Sequence, residues 1–222
     1  MREKLNEQLI QLHSMLEEMG DMIENAISSS VETMQRQDTE RANKIILGDE
    51  QINRQEKAIE SLCFHLILTQ QPVAYDLRNI SAALKMITDM ERIGAHAADI
   101  CELVIHIGKT DVALDYGHIS RMAEATISMV NRSIDAFIRS DLALAQAVCR
   151  MDDEVDELFS AAKHDLVELI RHDVARSEQA IDMLMIAKYF ERIGDHATNI
   201  AEWVVYSITG EHKNDNPAAD KQ

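Results

Sequence analysis

Proline is nearly absent, with 2 residues in 222, glycine is sparse at 7, and aromatic side chains make up 4% of the chain. A protein of six or more strands needs turn punctuation together with β-branched or aromatic runs, so these shortages exclude that class. Cysteine is scarce too. Cys63, Cys101 and Cys149 are odd in number, far apart and without CxxC spacing. That excludes a disulfide framework; the thiols are expected to act as small buried hydrophobes in a reducing cytoplasm. Positive charge is also short: 22 basic against 39 acidic residues leave a net charge of −17. A phosphate backbone or an anionic lipid surface would be repelled over most of such a protein, so no nucleic-acid partner and no direct membrane contact are expected. A basic partner or multivalent cations would be attracted. Long hydrophobic runs are missing as well. The longest uncharged stretch, Ser61 to Tyr75, contains His65, Gln70, Gln71 and Pro72 and is too short to span a bilayer. Met1-Arg2-Glu3-Lys4 opens a charged amphipathic stretch rather than an apolar signal core, so no secretory leader is expected.

What is present is helical periodicity. Hydrophobic residues make up 46% of the chain, which excludes disorder. Ile186, Phe190, Ile193, Ala197, Ile200, Val204 and Ile208 follow one another at spacings of three and four, one face of a helix. Similar stripes run through Leu9, Leu12, Leu16, Met19 and Ile23, and through Met122, Ile127, Val130 and Ile134. The spacing predicts six long helices over 3–36, 38–69, 73–107, 118–139, 141–171 and 177–208. Asp38, Asp141 and Ser177 are the expected N-caps, and Pro72 stops the second helix and suits the first turn of the third. A helix of about 30 residues is about 45 Å long, and such helices joined by short turns lie antiparallel in a bundle.

The chain repeats itself. Glu91-Arg-Ile-Gly-Ala-His-Ala-Ala-Asp-Ile100 matches Glu191-Arg-Ile-Gly-Asp-His-Ala-Thr-Asn-Ile200 at an offset of 100 residues. Upstream, Met19, Asp38 and Asp49 align with Met122, Asp141 and Asp152 at an offset of 103. The expected architecture is all-α: two tandem three-helix bundles related by internal pseudo-symmetry, over 1–110 and 111–210, with a polar, frayed tail over 211–222. The turn-rich segment from Gly108 to Gly117 is the expected joint between them.

Acidic residues recur where the last two helices of each copy should meet. In the second copy Glu191 and Asp195 share a helix face, extended by Asn199 and Glu202, and Asp152 and Asp156 share a face of the preceding helix. Two facing rows of carboxylates repel unless they are solvated, protonated or bridged, and oxygen-bound metal ions are a natural bridge. The first copy is weaker. It keeps Asp49, Glu91 and Asp99, with Glu56 and Glu60, but has Asn53 and Ala95 where the second has Asp156 and Asp195. The competing reading is a pair of solvated acidic faces.

His96 and His196 each follow a Glu by five residues, about 140° round the helix, so they do not form the Glu-x-x-His pair of a di-iron bundle. They are expected to be inter-helix hydrogen-bonding residues, with Arg92 and Arg192 paired to neighbouring acids. Gly94 and Gly194 interrupt a helix at a cost of about 1 kcal/mol relative to Ala, which close approach of another helix would justify. The 12 Met read as adaptable core filler. There is no nucleophile-and-base arrangement, Gly-rich phosphate loop, HExxH or dinucleotide fingerprint, which moves the expectation from catalysis to binding or regulation. A metal-carboxylate hydrolase or oxidase is the alternative.

At Asp89-Met-Glu-Arg-Ile-Gly and Phe190-Glu-Arg-Ile-Gly-Asp-His-Ala-Thr-Asn-Ile the sequence resembles the PhoU family of bacterial phosphate-signalling regulators. Asp49-Glu-Gln-Ile-Asn, Asp152-Asp-Glu-Val-Asp and Gln71-Pro-Val-Ala-Tyr-Asp-Leu-Arg78 agree, and the likeness runs from about Leu9 to Ile208. The resemblance implies a cytoplasmic protein of two symmetric three-helix bundles, a homodimer, that represses the phosphate-starvation response and restrains phosphate uptake. Its implied partners are the ATPase subunit of the phosphate transporter and the sensor histidine kinase PhoR, with the membrane met only through them. It also implies Glu/Asp-x-x-x-Asp sites for iron, zinc, manganese or magnesium. That motif is intact at Asp152 with Asp156 and Glu191 with Asp195, and broken at Asp49 with Asn53 and Glu91 with Ala95. An accessory role for a different transporter is the further alternative.

Overall fold

The computed structural model describes residues 2–108 and 117–211. Among these the chain forms α1 (Arg2–Arg36), α2 (Thr39–Gln70), α3 (Tyr75–Ile107), α4 (Gly117–Arg139), α5 (Leu142–His172) and α6 (Ser177–Thr209). A single 3₁₀ turn, Val174–Arg176, leads into α6. No helix among the described residues is long and apolar enough to cross a membrane. The expected joint over Gly108 to Gly117 and the tail lie largely outside the described residues.

The caps follow the sequence at two places and depart from it at two others. Asp38 accepts from the Arg41 amide at 3.0 Å and Asp141 from the Leu144 amide at 2.9 Å. Ser177 is not a cap. It is already helical, and Asp173 instead starts the preceding turn by accepting from the Ala175 amide at 3.2 Å. Pro72 lies in the link between α2 and α3 rather than in the first turn of α3, because Gln71 and Ala74 take positive φ and delay the helix to Tyr75.

α1, α2 and α3 pack on one another, and so do α4, α5 and α6; α3 against α6 and α1 against α4 join the two trios. Three contacts set the direction of the α3–α6 seam: Arg78 to the Ser207 carbonyl, Asp89 to His196 and His106 to Asp182. The α6 partner number falls as the α3 number rises, so the two helices run antiparallel. Gln35 with Ser120 and Glu24 with Asn131 order α1 and α4 in the same way.

The apolar stripes form one core. Leu12, Leu16, Met19 and Ile23 of α1 are fully buried, as are Ile186, Phe190, Ile193, Ala197, Ile200 and Val204 of α6. Met34, Met86, Met90, Met122, Met129 and Met183 join them, in keeping with adaptable filler between long helices. Cys63 and Cys101 are buried, and desolvation pushes both thiols up to about 12, so they behave as hydrophobes rather than nucleophiles.

Candidate metal centre

Each copy of the Glu-Arg-Ile-Gly motif is built around close helix approach. A Cβ on Gly94 would lie 2.7 Å from Ile52 Cδ1, 3.1 Å from Ile52 Cγ2 and 3.4 Å from Asp49 Oδ1. A Cβ on Gly194 would lie 3.3 Å from Val155 Cγ1 and 3.4 Å from Asp152 Oδ1. The residues over the two glycines, Asp49 with Ile52 and Asp152 with Val155, are equivalent in the repeat. The glycine thus seats an aspartate of the second helix of each trio against the backbone of the third.

Around Asp152 the second trio gathers negative charge. Burial pushes the Asp152 carboxyl above the usual aspartate range, and Asp195 and Asp156 push it further. The Asp195 carboxyl is raised by desolvation, then by Glu191 and by Asp156 across the seam, against the opposing pull of Lys188. Asp156 and Asp195 are exposed, while Asp152 and Glu191 are half-buried. Lys188 Nζ lies 2.5 Å from Glu191 Oε1, and Glu191 Oε2 is buried with no hydrogen-bond partner.

The first trio divides its acids into two groups. Asp49 accepts from Asn53 Nδ2 at 2.9 Å; its carboxyl is raised by burial, with Asp99 adding repulsion. Its Oδ1 is buried and unpartnered. Glu91 acts instead on Glu56, whose carboxyl is raised by burial, then by Glu60 and Glu91. Asp99 is engaged by His96 Nδ1 at 3.2 Å.

Among the described residues, no three His, Cys, Asp or Glu side chains already converge on a point that would hold an ion. The donor set nevertheless suits a hard or borderline cation. It is all oxygen, its carboxyls repel one another, and each trio leaves one buried carboxylate oxygen without a partner. Asp152, Asp156, Glu191 and Asp195 are the residues that would hold an ion in the second trio. Closing a site takes side-chain rotation, for which the exposed Asp156 and Asp195 have room.

The histidines lie at the seam between the trios. His196 Nδ1 is 2.8 Å from Asp89 Oδ1, and Asn199 Nδ2 reaches the same oxygen at 3.2 Å. Asn199 therefore faces α3 and does not extend the acidic row toward α5. His96 is buried, with its ring centroid 5.3 Å from Tyr189 and 5.5 Å from His196. Burial lowers its basicity, His196 and Arg192 oppose its protonation further, and Asp99 works the other way. Arg92 has the expected acidic neighbour, Glu91 at 3.6 Å, whereas Arg192 has no ion pair among the described residues. Sequence reasoning missed Asp89, Tyr189 and Lys188. Only Lys188, three residues before Glu191 on the same face, left a signal that spacing alone could have found.

A doubled helical trio with an aspartate over a motif glycine in each half defines a class of all-α repeat protein. The sequence model of the PhoU domain matches residues 16–104 and again 119–204. The chain belongs to the PhoU family. It is 38% identical over 203 residues to a phosphate-specific transport system accessory protein PhoU homolog of Clostridium acetobutylicum, covering 91% of this chain and 93% of that one. It is 30% identical over 208 residues to the phosphate-specific transport system accessory protein PhoU of Escherichia coli, covering 94% and 86%. The crystal structure of PhoU from Pseudomonas aeruginosa superimposes with a TM-score of 0.85 at 31% identity, over 93% of this chain and 99% of that one. The phosphate transport system regulatory protein PhoU from Streptococcus pneumoniae gives 0.85 at 25% identity, over 94% and 98%.

Proposed function

We propose that this chain is a non-enzymatic, cytoplasmic accessory protein of phosphate-specific transport that represses the phosphate-starvation response and restrains phosphate uptake. It does so as an adaptor between the ATPase subunit of the phosphate transporter and the sensor histidine kinase PhoR, reaching the membrane only through them. It works as a homodimer of two-repeat chains, over 1–110 and 111–210 with a tail over 211–222, and divalent or trivalent ions such as iron, zinc, manganese or magnesium sit along its acidic seams.

The observation that carries this reading is the whole-length similarity to relatives named as accessory proteins of phosphate-specific transport. Long rigid helix faces with no nucleophile-and-base arrangement in the sequence suit docking better than chemistry. If one partner is held only in a particular state of the other, the two bindings are thermodynamically linked and a signal results. Over most of the surface the acidic balance disfavours direct contact with free phosphate except through a bridging cation.

Deletion of the gene, read by alkaline-phosphatase expression in phosphate-replete medium, tests the reading. Derepressed expression is expected, together with capture of the transporter ATPase and the kinase on the tagged chain. Unchanged phosphatase expression in the deletion strain overturns it.

A further inference from the structure

A cavity of about 560 Å³ opens where the start of α4, the end of α5 and the turn before α6 meet. Leu166, Leu169 and Met183 give it an apolar wall, and its charged lining comprises His118, Arg121, Asp165, Glu168, His172 and Arg176. Both acids are already matched. Asp165 Oδ2 lies 2.7 Å from His118 Nδ1, and Glu168 pairs with Arg171 at 2.5 Å. Neither Arg121 nor Arg176 has an ion pair among the described residues, and Arg176 Nε is buried with no hydrogen-bond partner. Arg121 also borders a depression shared with Glu154 and Glu157, again without an ion pair among the described residues.

In a chain of net charge −17, two guanidinium groups that line one cavity without an ion pair among the described residues run against the overall balance. A buried N–H donor without a partner is unfavourable until an acceptor arrives. The planar guanidinium fork fits the paired oxygens of a phosphate better than it fits a single acceptor. The volume lies in the range of small-ligand pockets and exceeds what a lone oxyanion fills.

We propose that this cavity binds a small organic phosphate. The phosphate head would lie on Arg121 and Arg176, and an apolar or aromatic body would rest against Leu166, Leu169 and Met183. The site is distinct from the carboxylate seam and does not depend on a metal there.

Calorimetric titration of the full chain in low salt, with divalent ions chelated and AMP as the probe, tests this. AMP is expected to bind, with adenosine and inorganic phosphate each at least about tenfold weaker, since each lacks one half of the recognition. Arg176→Gln and Arg121→Gln are each expected to weaken AMP by at least about tenfold, in line with the strength of charge-assisted hydrogen bonds. Arg150→Gln, on an exposed position outside the cavity lining, should leave binding unchanged. Should Arg176→Gln fail to fold by circular dichroism, Arg121→Gln, at an exposed residue, carries the test. Absence of AMP binding, AMP binding indifferent to the arginine substitutions, or phosphate binding as tightly as AMP overturns the proposal.

Discussion

His196 of α6 reaches Asp89 of α3 at 2.8 Å, and its counterpart in the first trio, His96, rests instead on Tyr189, the residue that takes Asp89's place in the repeat. At these two pseudo-equivalent positions the seam between the trios therefore has a histidine–carboxylate hydrogen bond on one side and a ring contact on the other. Asp89→Ala removes the acceptor of both His196 and Asn199 from a mostly buried site. A loss of about 1–3 kcal/mol is expected, with Tm falling by about 2–4 °C for each kcal/mol. Tyr189→Phe keeps the ring and should stay within about 0.5 kcal/mol of the parent. Thermal melts by circular dichroism check both; equal losses would contradict the asymmetry.

Alanine at three helical glycines gives a graded series. At Gly48 the new methyl meets nothing within 4 Å, so the helix gains about 0.5–1 kcal/mol. At Gly194 the nearest atom is 3.3 Å away, and a slight shift of Val155 should cancel most of that gain. At Gly94 the methyl would sit 2.7 Å and 3.1 Å from two branches of Ile52, and overpacking of about 1–3 kcal/mol should outweigh the propensity. The expected order of Tm is Gly48→Ala, then the parent and Gly194→Ala together, then Gly94→Ala. If Gly94→Ala is as stable as Gly48→Ala, the glycine is not there for helix approach.

The helices and the doubled trio were largely legible in the sequence, because the apolar stripes are long and only a few residues punctuate them. Boundaries agree to within two residues, and the largest shift, at the start of α3, comes from two positive-φ residues that no pattern announces. The aspartate over each glycine could be anticipated, because Asp49 and Asp152 recur at a fixed offset and the glycine asks for a close neighbour. The contacts between trios could not. Asp89 and Tyr189 gain their meaning from antiparallel packing of helices far apart in sequence, and nothing in a local period encodes that partner. Ser177 loses its capping role for a local reason: the 3₁₀ turn that Asp173 starts runs straight into α6, so Ser177 is already helical and α6 begins without a side-chain cap.

His13 and His96 are expected to lower stability on the acid side of neutrality. Both are shifted below the ordinary histidine range, chiefly by burial; Glu17 opposes the shift at His13 and Asp99 at His96. Between the lowered folded value and the ordinary one, the unfolded chain binds more protons than the folded one, so stability falls as pH falls through that window. His13, whose ring meets Phe137 edge-on at 5.7 Å, ties α1 to α4. Urea denaturation of the parent and of His13→Gln between pH 8 and pH 5 should show a shallower loss of stability in the variant. Parallel curves would remove His13 from the account.

Asp152 and Asp195 act with the opposite sign. Their carboxyls are raised, so without a cation the fold is favoured while they are protonated, and that contribution is lost as pH rises through their folded values. Asp152→Asn should therefore leave the metal-free protein as stable as the parent or slightly more so at pH 7. Asp195 is exposed, and solvent keeps its effect small. Because bound carboxylates must be unprotonated, any cation should bind more tightly as pH rises.

The most direct measurement is elemental analysis of the full chain purified without chelator, beside the Asp152→Asn/Asp195→Asn double variant. A stoichiometric transition metal or magnesium is expected in the parent and a marked loss of it in the variant, with both proteins folded. A parent free of metal even after loading with iron, zinc, manganese and magnesium, or a variant that retains the parent's content, would contradict the carboxylate seam as a cation site.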